Sequence, residues 1–223
     1  LFEEKSPIYG RLDHNIQLNP LSFSTVKQLF VDNDIIKPTK QLRLYTMFGS
    51  NIRFYEILDQ FDLLHCSTKE ILEKSWMGFT GLFSDELNKM LLPELKKSSI
   101  VYTGILSAIA KGIQRANEIA NMAEINTTSL GNYLPFLIDS LDLVYKEVPV
   151  TENQNSKISR YVIKDPFIYF WYRYVEKSKA LLELGQTKSV VRRITEDLPN
   201  LEGKILEMIF REKILENPPM EFD

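Results

Sequence analysis

The chain has 223 residues, 44% hydrophobic and 26% charged, enough apolar material for one sizeable core or two to three small ones. Its formal net charge of −3 excludes a global attraction to nucleic acid or to an anionic membrane, so any such contact has to rest on a local patch. No apolar run reaches the length of a bilayer span, the N-terminus Leu1-Phe2-Glu3-Glu4-Lys5 has no apolar signal core, and Cys66 has no second cysteine to pair with; these features predict a cytoplasmic protein. The first residue is Leu1, without Met and inside what reads as a structured segment, which predicts a fragment of a longer protein.

Residues 3–23 read as a loop with a short strand over 16–21, bounded by turn formers. Over residues 24–95 the pattern changes to four or five helices of about 8 to 12 residues, a small helical subdomain. Pro38 and Gly49 bracket one helix, Ser67 with Glu70 forms a capping box for another, and Ser84 caps a helix running toward Leu95. A second unit follows. Ile100, Gly104, Ile105, Ala108 and Ile109 form one helix that ends near Gly112, and residues 116–122 form a second. The third helix covers residues 127–140, with Leu130, Tyr133, Leu134, Leu137 and Ile138 on one face. Leu143-Val144-Tyr145 and Arg160-Tyr161-Val162-Ile163 read as strands joined by the polar stretch 151–157, and three helices followed by a hairpin is the order of a winged helix-turn-helix.

That second strand passes into a helix within two residues. Asp165 supplies an N-cap acceptor and Pro166 the preset φ of a first helical position. Phe167, Phe170, Trp171, Tyr174 and Val175 then fall on one apolar face, the pattern of a core helix at a domain junction rather than of an exposed platform for an aromatic ligand. Leu181, Leu182 and Leu184 precede Gly185, residues 190–197 form a helix, and Asn200-Leu201-Glu202-Gly203 opens another with Leu206, Ile209 and Phe210 apolar. The fold class is therefore mainly α, with a helical subdomain, a winged helix-turn-helix carrying a small β-hairpin, and further helices.

At several of these residues the chain resembles the archaeal and bacterial P-loop ATPases related to AAA+ and STAND proteins. Ser6-Pro7-Ile8-Tyr9-Gly10-Arg11 is similar to the family's motif near the end of the ATPase core, and Leu18-Asn19-Pro20-Leu21-Ser22-Phe23 to the motif after it. Ala108-Ile109-Ala110-Lys111-Gly112, Glu118-Ile119-Ala120 and Leu130-Gly131-Asn132-Tyr133-Leu134 resemble its helix-turn-helix. Tyr161-Val162-Ile163-Lys164-Asp165-Pro166-Phe167 with Phe170-Trp171-Tyr172-Arg173-Tyr174-Val175 resembles its most specific signature. The resemblance implies four regions: the end of an ATPase core with a linker over 1–23, a lid-like helical subdomain over 24–97, a winged helix over 98–165, and the opening helices of a truncated C-terminal domain of restriction-endonuclease type over 166–223. The chain departs from the family in two places. No Gly-x-x-x-x-Gly-Lys-[Ser/Thr] loop occurs to cradle phosphates, so ATP and Mg²⁺ are expected only through a core upstream of Leu1. The family's Gly-Gly-x-Pro turn is present only as Phe48-Gly49-Ser50-Asn51, without the proline.

The resemblance implies a nucleotide-sensing role for Arg11, whose guanidinium follows a Tyr-Gly turn and could neutralise phosphate charge. Thr127, Thr128, Ser129 and Asn132 lie on the N-terminal polar side of the third helix, able to meet base edges or phosphates; that helix has no Lys or Arg, and Asp139 and Asp142 follow. Cations gather instead from residue 157 to residue 193, nine Lys or Arg against Asp165, Glu176 and Glu183. Lys157, Arg160 and Lys164 in the wing are thus the candidate phosphate contacts. His14 and His65 support no metal site, and no catalytic set is expected: Glu207 resembles a helix carboxylate of the endonuclease fold, but Glu94-Leu95-Lys96 and Glu202-Gly203-Lys204 lie in helical patterns. The expected function is coupling of a nucleotide state, made in an upstream core, to DNA or to a protein partner, with no membrane partner. The competing readings are a free-standing winged-helix DNA-binding regulator and a protein-interaction module.

Overall fold

The computed structural model describes residues 20–76, 81–83, 86–95, 99–148 and 159–216. Five helices come first: α1 (Phe23–Asp32), α2 (Pro38–Phe48), α3 (Ile52–Gln60), α4 (Thr68–Ser75) and α5 (Glu86–Leu95). Then come α6 (Ser99–Ala110), α7 (Ala116–Met122) and α8 (Thr127–Pro135), which continues as a π-helical turn over Phe136–Ser140. Strands β1 (Val144–Glu147) and β2 (Arg160–Ile163) precede α9 (Pro166–Phe170), a second π-helical turn (Trp171–Val175), α10 (Glu176–Glu183) and α11 (Thr187–Glu216). The architecture is mainly helical with one small antiparallel hairpin.

Local signals in the sequence set most of these boundaries. Ser22, Asn51 and Asn126 accept hydrogen bonds from backbone N–H groups of α1, α3 and α8, and Ser67 with Glu70 closes a capping box on α4. Pro38 opens α2 and Gly49 ends it. The short strand expected over 16–21 falls largely outside the described residues, as does the cap expected at Ser84; Pro20 and Leu21 are irregular.

The C-terminal helices differ from expectation. Instead of one helix over 190–197 and another opening at 200–203, α11 runs unbroken from Thr187 to Glu216 with Pro199 inside it. An interior proline removes a hydrogen bond and costs about 3 kcal/mol. The buried stripe Val190, Val191, Ile194, Leu198, Leu201, Ile205 and Ile209 keeps helical spacing straight through the proline. Packing of that stripe on α2, α4 and α10 outweighs the local penalty.

One hydrophobic cluster runs from Val26 to Ile209 through all of these elements, and its aromatic centre joins two distant parts of the chain. Trp76, at the end of α4, stacks on Phe48 at 5.5 Å and 19° and meets Phe167, Phe170 and Trp171 at 5.4, 5.2 and 5.9 Å. The apolar face from Phe167 to Val175 is therefore the core face expected of it, buried along its length.

The entry to α9 is tight. Gly49 has φ +65°, and a Cβ there would lie 3.1 Å from one Asp165 carboxylate oxygen and 3.2 Å from the Phe167 nitrogen. The Tyr55 hydroxyl donates to the Gly49 carbonyl at 2.5 Å. Asp165 in turn caps α9 by accepting the Ile168 N–H at 3.1 Å. This contact seats the hairpin's exit directly on the turn after α2.

Candidate nucleic-acid interface

Helices α6, α7 and α8 pack in succession, and β1 pairs with β2 so that Val144 faces Ile163 and Glu147 faces Arg160. Val144, Val162 and Ile163 are buried, and the Tyr161 N–H donates to the Gln114 carbonyl at 2.9 Å, holding β2 against the turn between α6 and α7. The hairpin is thus fixed to the helices at both levels, by side chains and by backbone.

On α8 the side chains divide cleanly. Leu130 and Leu134 are buried, while Thr127, Thr128 and Asn132 are exposed together with Gly131 and Pro135. Three of the nominated residues accordingly share one solvent-facing side, at the helical positions where hydroxyl and amide groups can reach a groove. Ser129 is half-buried, and its N–H is taken by the Asn126 cap at 2.7 Å. Nothing on this side supplies positive charge.

The wing is divided between free and spent cations. Arg160 is exposed and has no carboxylate partner among the described residues, because the Glu147 opposite it is engaged by Arg211 from α11. Lys164 is paired with Asp142. Arg11 and Lys157 lie outside the described residues.

Of the nine cations counted from 157 to 193, eight are described, and four are held in ion pairs: Lys164 with Asp142, Arg173 with Asp197, Lys179 with Glu176, and Arg192 with Glu196. Arg160, Lys177, Lys188 and Arg193 are left uncompensated among the described residues. The described patch is therefore half spent: Glu176 and Glu196 engage cations one helical turn away, and Asp142 and Asp197 are brought to theirs by the fold.

The fold also adds a cation the sequence count left out. Lys111 directly follows the first helix of the three and belongs to a different stretch of chain, yet it lines a cleft with Arg173, Lys177 and Arg193. The only hint in the sequence was the Lys-Gly pair at the helix end, a common C-terminal pattern. Elsewhere, His65 is exposed and the Cys66 thiol donates to the Asp62 carbonyl; among the described residues no three His, Cys, Asp or Glu side chains group as metal ligands would. No described helix is long and apolar enough to cross a membrane.

Against this geometry stands one archaeal relative. Over 215 residues the chain is 26% identical to the uncharacterized protein MJECL04 of Methanocaldococcus jannaschii, a match that covers 95% of this chain and 45% of that protein. The chain spans less than half the length of the relative it matches. No family model matches the sequence. No solved structure matches it.

Proposed function

We propose that the chain is the lid, winged-helix and partial C-terminal region of an archaeal-type P-loop ATPase, coupling a nucleotide state to DNA or to a protein partner. The observation that supports this best is the joint between hairpin and helical body. Two residues after β2, the Asp165 cap meets the turn at Gly49 and the aromatic face of α9 enters the Trp76 cluster. A displacement of α2 or α4 therefore has no slack in which to vanish before it reaches β2. A nucleotide sensed against the helical body would be felt at the wing. The similarity to a much longer archaeal protein fits a chain that works as part of a larger one. ATP and Mg²⁺ are assigned to a core outside these residues, and Arg11 to sensing it.

The test is the mass of the native gene product, read with an antibody raised against this chain. A species well above 26.0 kDa that carries a P-loop and turns over ATP is the expected result. A native species of 26.0 kDa without ATP turnover overturns the reading.

One observation favours the second reading, a free-standing DNA-binding regulator: the exposed stripe of Thr127, Thr128 and Asn132 on α8. Direct DNA contact would show as affinity that falls steeply with salt. Arg160→Ala would then lower the salt slope by about one, and Lys164→Ala by less, since Asp142 already engages that ammonium. Affinity indifferent to salt and to both substitutions removes DNA as the direct target of the wing.

A further inference from the structure

A cleft of about 410 Å³ opens where the end of α6 meets the π-helical turn after α9 and the pair α10–α11. Its charged lining is Lys111 just past the end of α6, Arg173 from the turn, Lys177 from α10, and Arg193 with Asp197 from α11. We propose that this cleft binds phosphate groups, of a nucleotide or of a polynucleotide backbone.

One of the cleft's cations is already neutralised. Arg173 donates from Nε to Asp197 Oδ2 at 3.0 Å, and its second terminal nitrogen lies 2.8 Å from the same oxygen. Its Nη1 donates to the Ala110 carbonyl at 3.1 Å, which fixes the guanidinium against the C-terminal end of α6. Asp197 also accepts from the Tyr174 hydroxyl at 2.9 Å and, on its other oxygen, from Asn200 at 2.8 Å. Both of its oxygens are occupied, so it has little to offer any other cation.

Lys111, Lys177 and Arg193 remain, all exposed and without a carboxylate partner among the described residues. The neighbouring acids are committed elsewhere, Glu176 to Lys179 and Glu196 to Arg192. Arg173 and Asp197 cancel, leaving three uncompensated positive charges in one concavity of a chain whose net charge is −3. Solvated lysines scattered over a surface need no explanation. Here three cations from three parts of the chain converge on a hollow with Ser178 in its lining and Val190 and Ile194 as an apolar floor.

The chemistry of the lining selects the ligand. Two ammonium groups act as mobile point charges, an arginine fork can take two oxygens at once, and a hydroxyl can donate a further bond, a set suited to phosphate oxygens. The volume exceeds that of a lone phosphate and lies in the range of small-molecule sites, roughly 300–1,000 Å³. A nucleotide or a short run of backbone therefore fits better than a free ion. This proposal stands on the cleft alone and does not depend on the ATPase reading.

The test uses the full chain with three probes: inorganic pyrophosphate, ATP, and a fluorescent DNA duplex, each titrated at fixed ionic strength. The variant Lys177→Gln/Arg193→Gln removes two cleft charges from exposed positions. Lys188→Gln/Arg192→Gln removes the same net charge outside the cleft. Circular dichroism confirms that both remain folded.

Binding of any probe that weakens about tenfold or more in the first variant and less than twofold in the second supports the site. Dependence seen with ATP and pyrophosphate identifies a nucleotide site. Dependence seen only with the duplex, with a salt slope smaller by about two, identifies backbone contact. Absence of binding to all three probes, or equal weakening in both variants, overturns the proposal.

Discussion

Asp165 shows how much one side chain can be asked to do. It caps α9, lies against the turn at Gly49 and is half-buried, and desolvation pushes its carboxyl up to about 6 despite the N–H groups of Ile168 and Phe167 that favour the anion. The folded chain thus holds this proton more tightly than the unfolded chain, whose carboxyl titrates near 4. Stability from this group is greatest below about pH 4 and falls as pH rises toward 6, by about 3 kcal/mol in all. Thermal unfolding should therefore show a lower midpoint at pH 7.5 than at pH 5. Asp165→Asn keeps a cap acceptor but cannot ionise, and it is expected to flatten that difference. An unchanged pH response in the variant would exclude Asp165 as its source. The sequence made the cap legible, because Asp-Pro after a strand is a local signal. It could not show that the same carboxylate lies against Gly49, since that contact joins residues more than a hundred positions apart.

Among the elements, α11 carries the sharpest discrepancy between local preference and packing. Pro199 is exposed on its outer side while Leu198 and Leu201 are buried beside it. Pro199→Ala restores an N–H to the ladder without disturbing the buried stripe, and it is expected to stabilise the chain by about 1 to 3 kcal/mol, read as a higher denaturant midpoint at constant slope. A lower midpoint would mean that a bend at Pro199 is itself needed for the fit to α2 and α4. The expectation of two helices failed because the facing helices that hold α11 continuous through Pro199 are invisible in sequence. Where pattern and packing agree, as in α6 to α8, β2 and the aromatic face of α9, boundaries and buried faces were legible. The two π-helical turns were not, since they continue the apolar pattern of the helices they interrupt.

At the scale of the molecule, ion pairs tie α11 to elements distant in sequence. Arg43 of α2 donates from Nε to Glu202 at 2.6 Å and from Nη1 to Thr68 at the start of α4 at 3.2 Å, so three helices meet at one guanidinium. Its side chain is 36% exposed, which limits what the pair contributes. Arg43→Ala is expected to cost about 1 kcal/mol at low salt, with part of that difference disappearing at high salt. A cost of several kcal/mol, insensitive to salt, would point instead to lost packing of the Arg43 stem. The candidate site obeys the same logic. Single residues such as Thr128, Asn132 and Arg160 could be nominated from sequence because exposure follows helical and strand periodicity. Which cations stay free could not be read in full, since Asp142 and Asp197 meet Lys164 and Arg173 only once the chain has folded, whereas the Arg192–Glu196 pair follows from helical spacing.

The length of α11 has a mechanical consequence. Thirty residues at 1.5 Å each make a rod of about 45 Å. Arg193 stands on its first third, and Arg211, near its far end, grips Glu147 on β1. A helix yields little along its axis, so a small slide at one end arrives almost whole at the other. Whatever settles against Arg193 would tug on the rim of the hairpin, with α11 serving as the connecting rod between two distant surfaces.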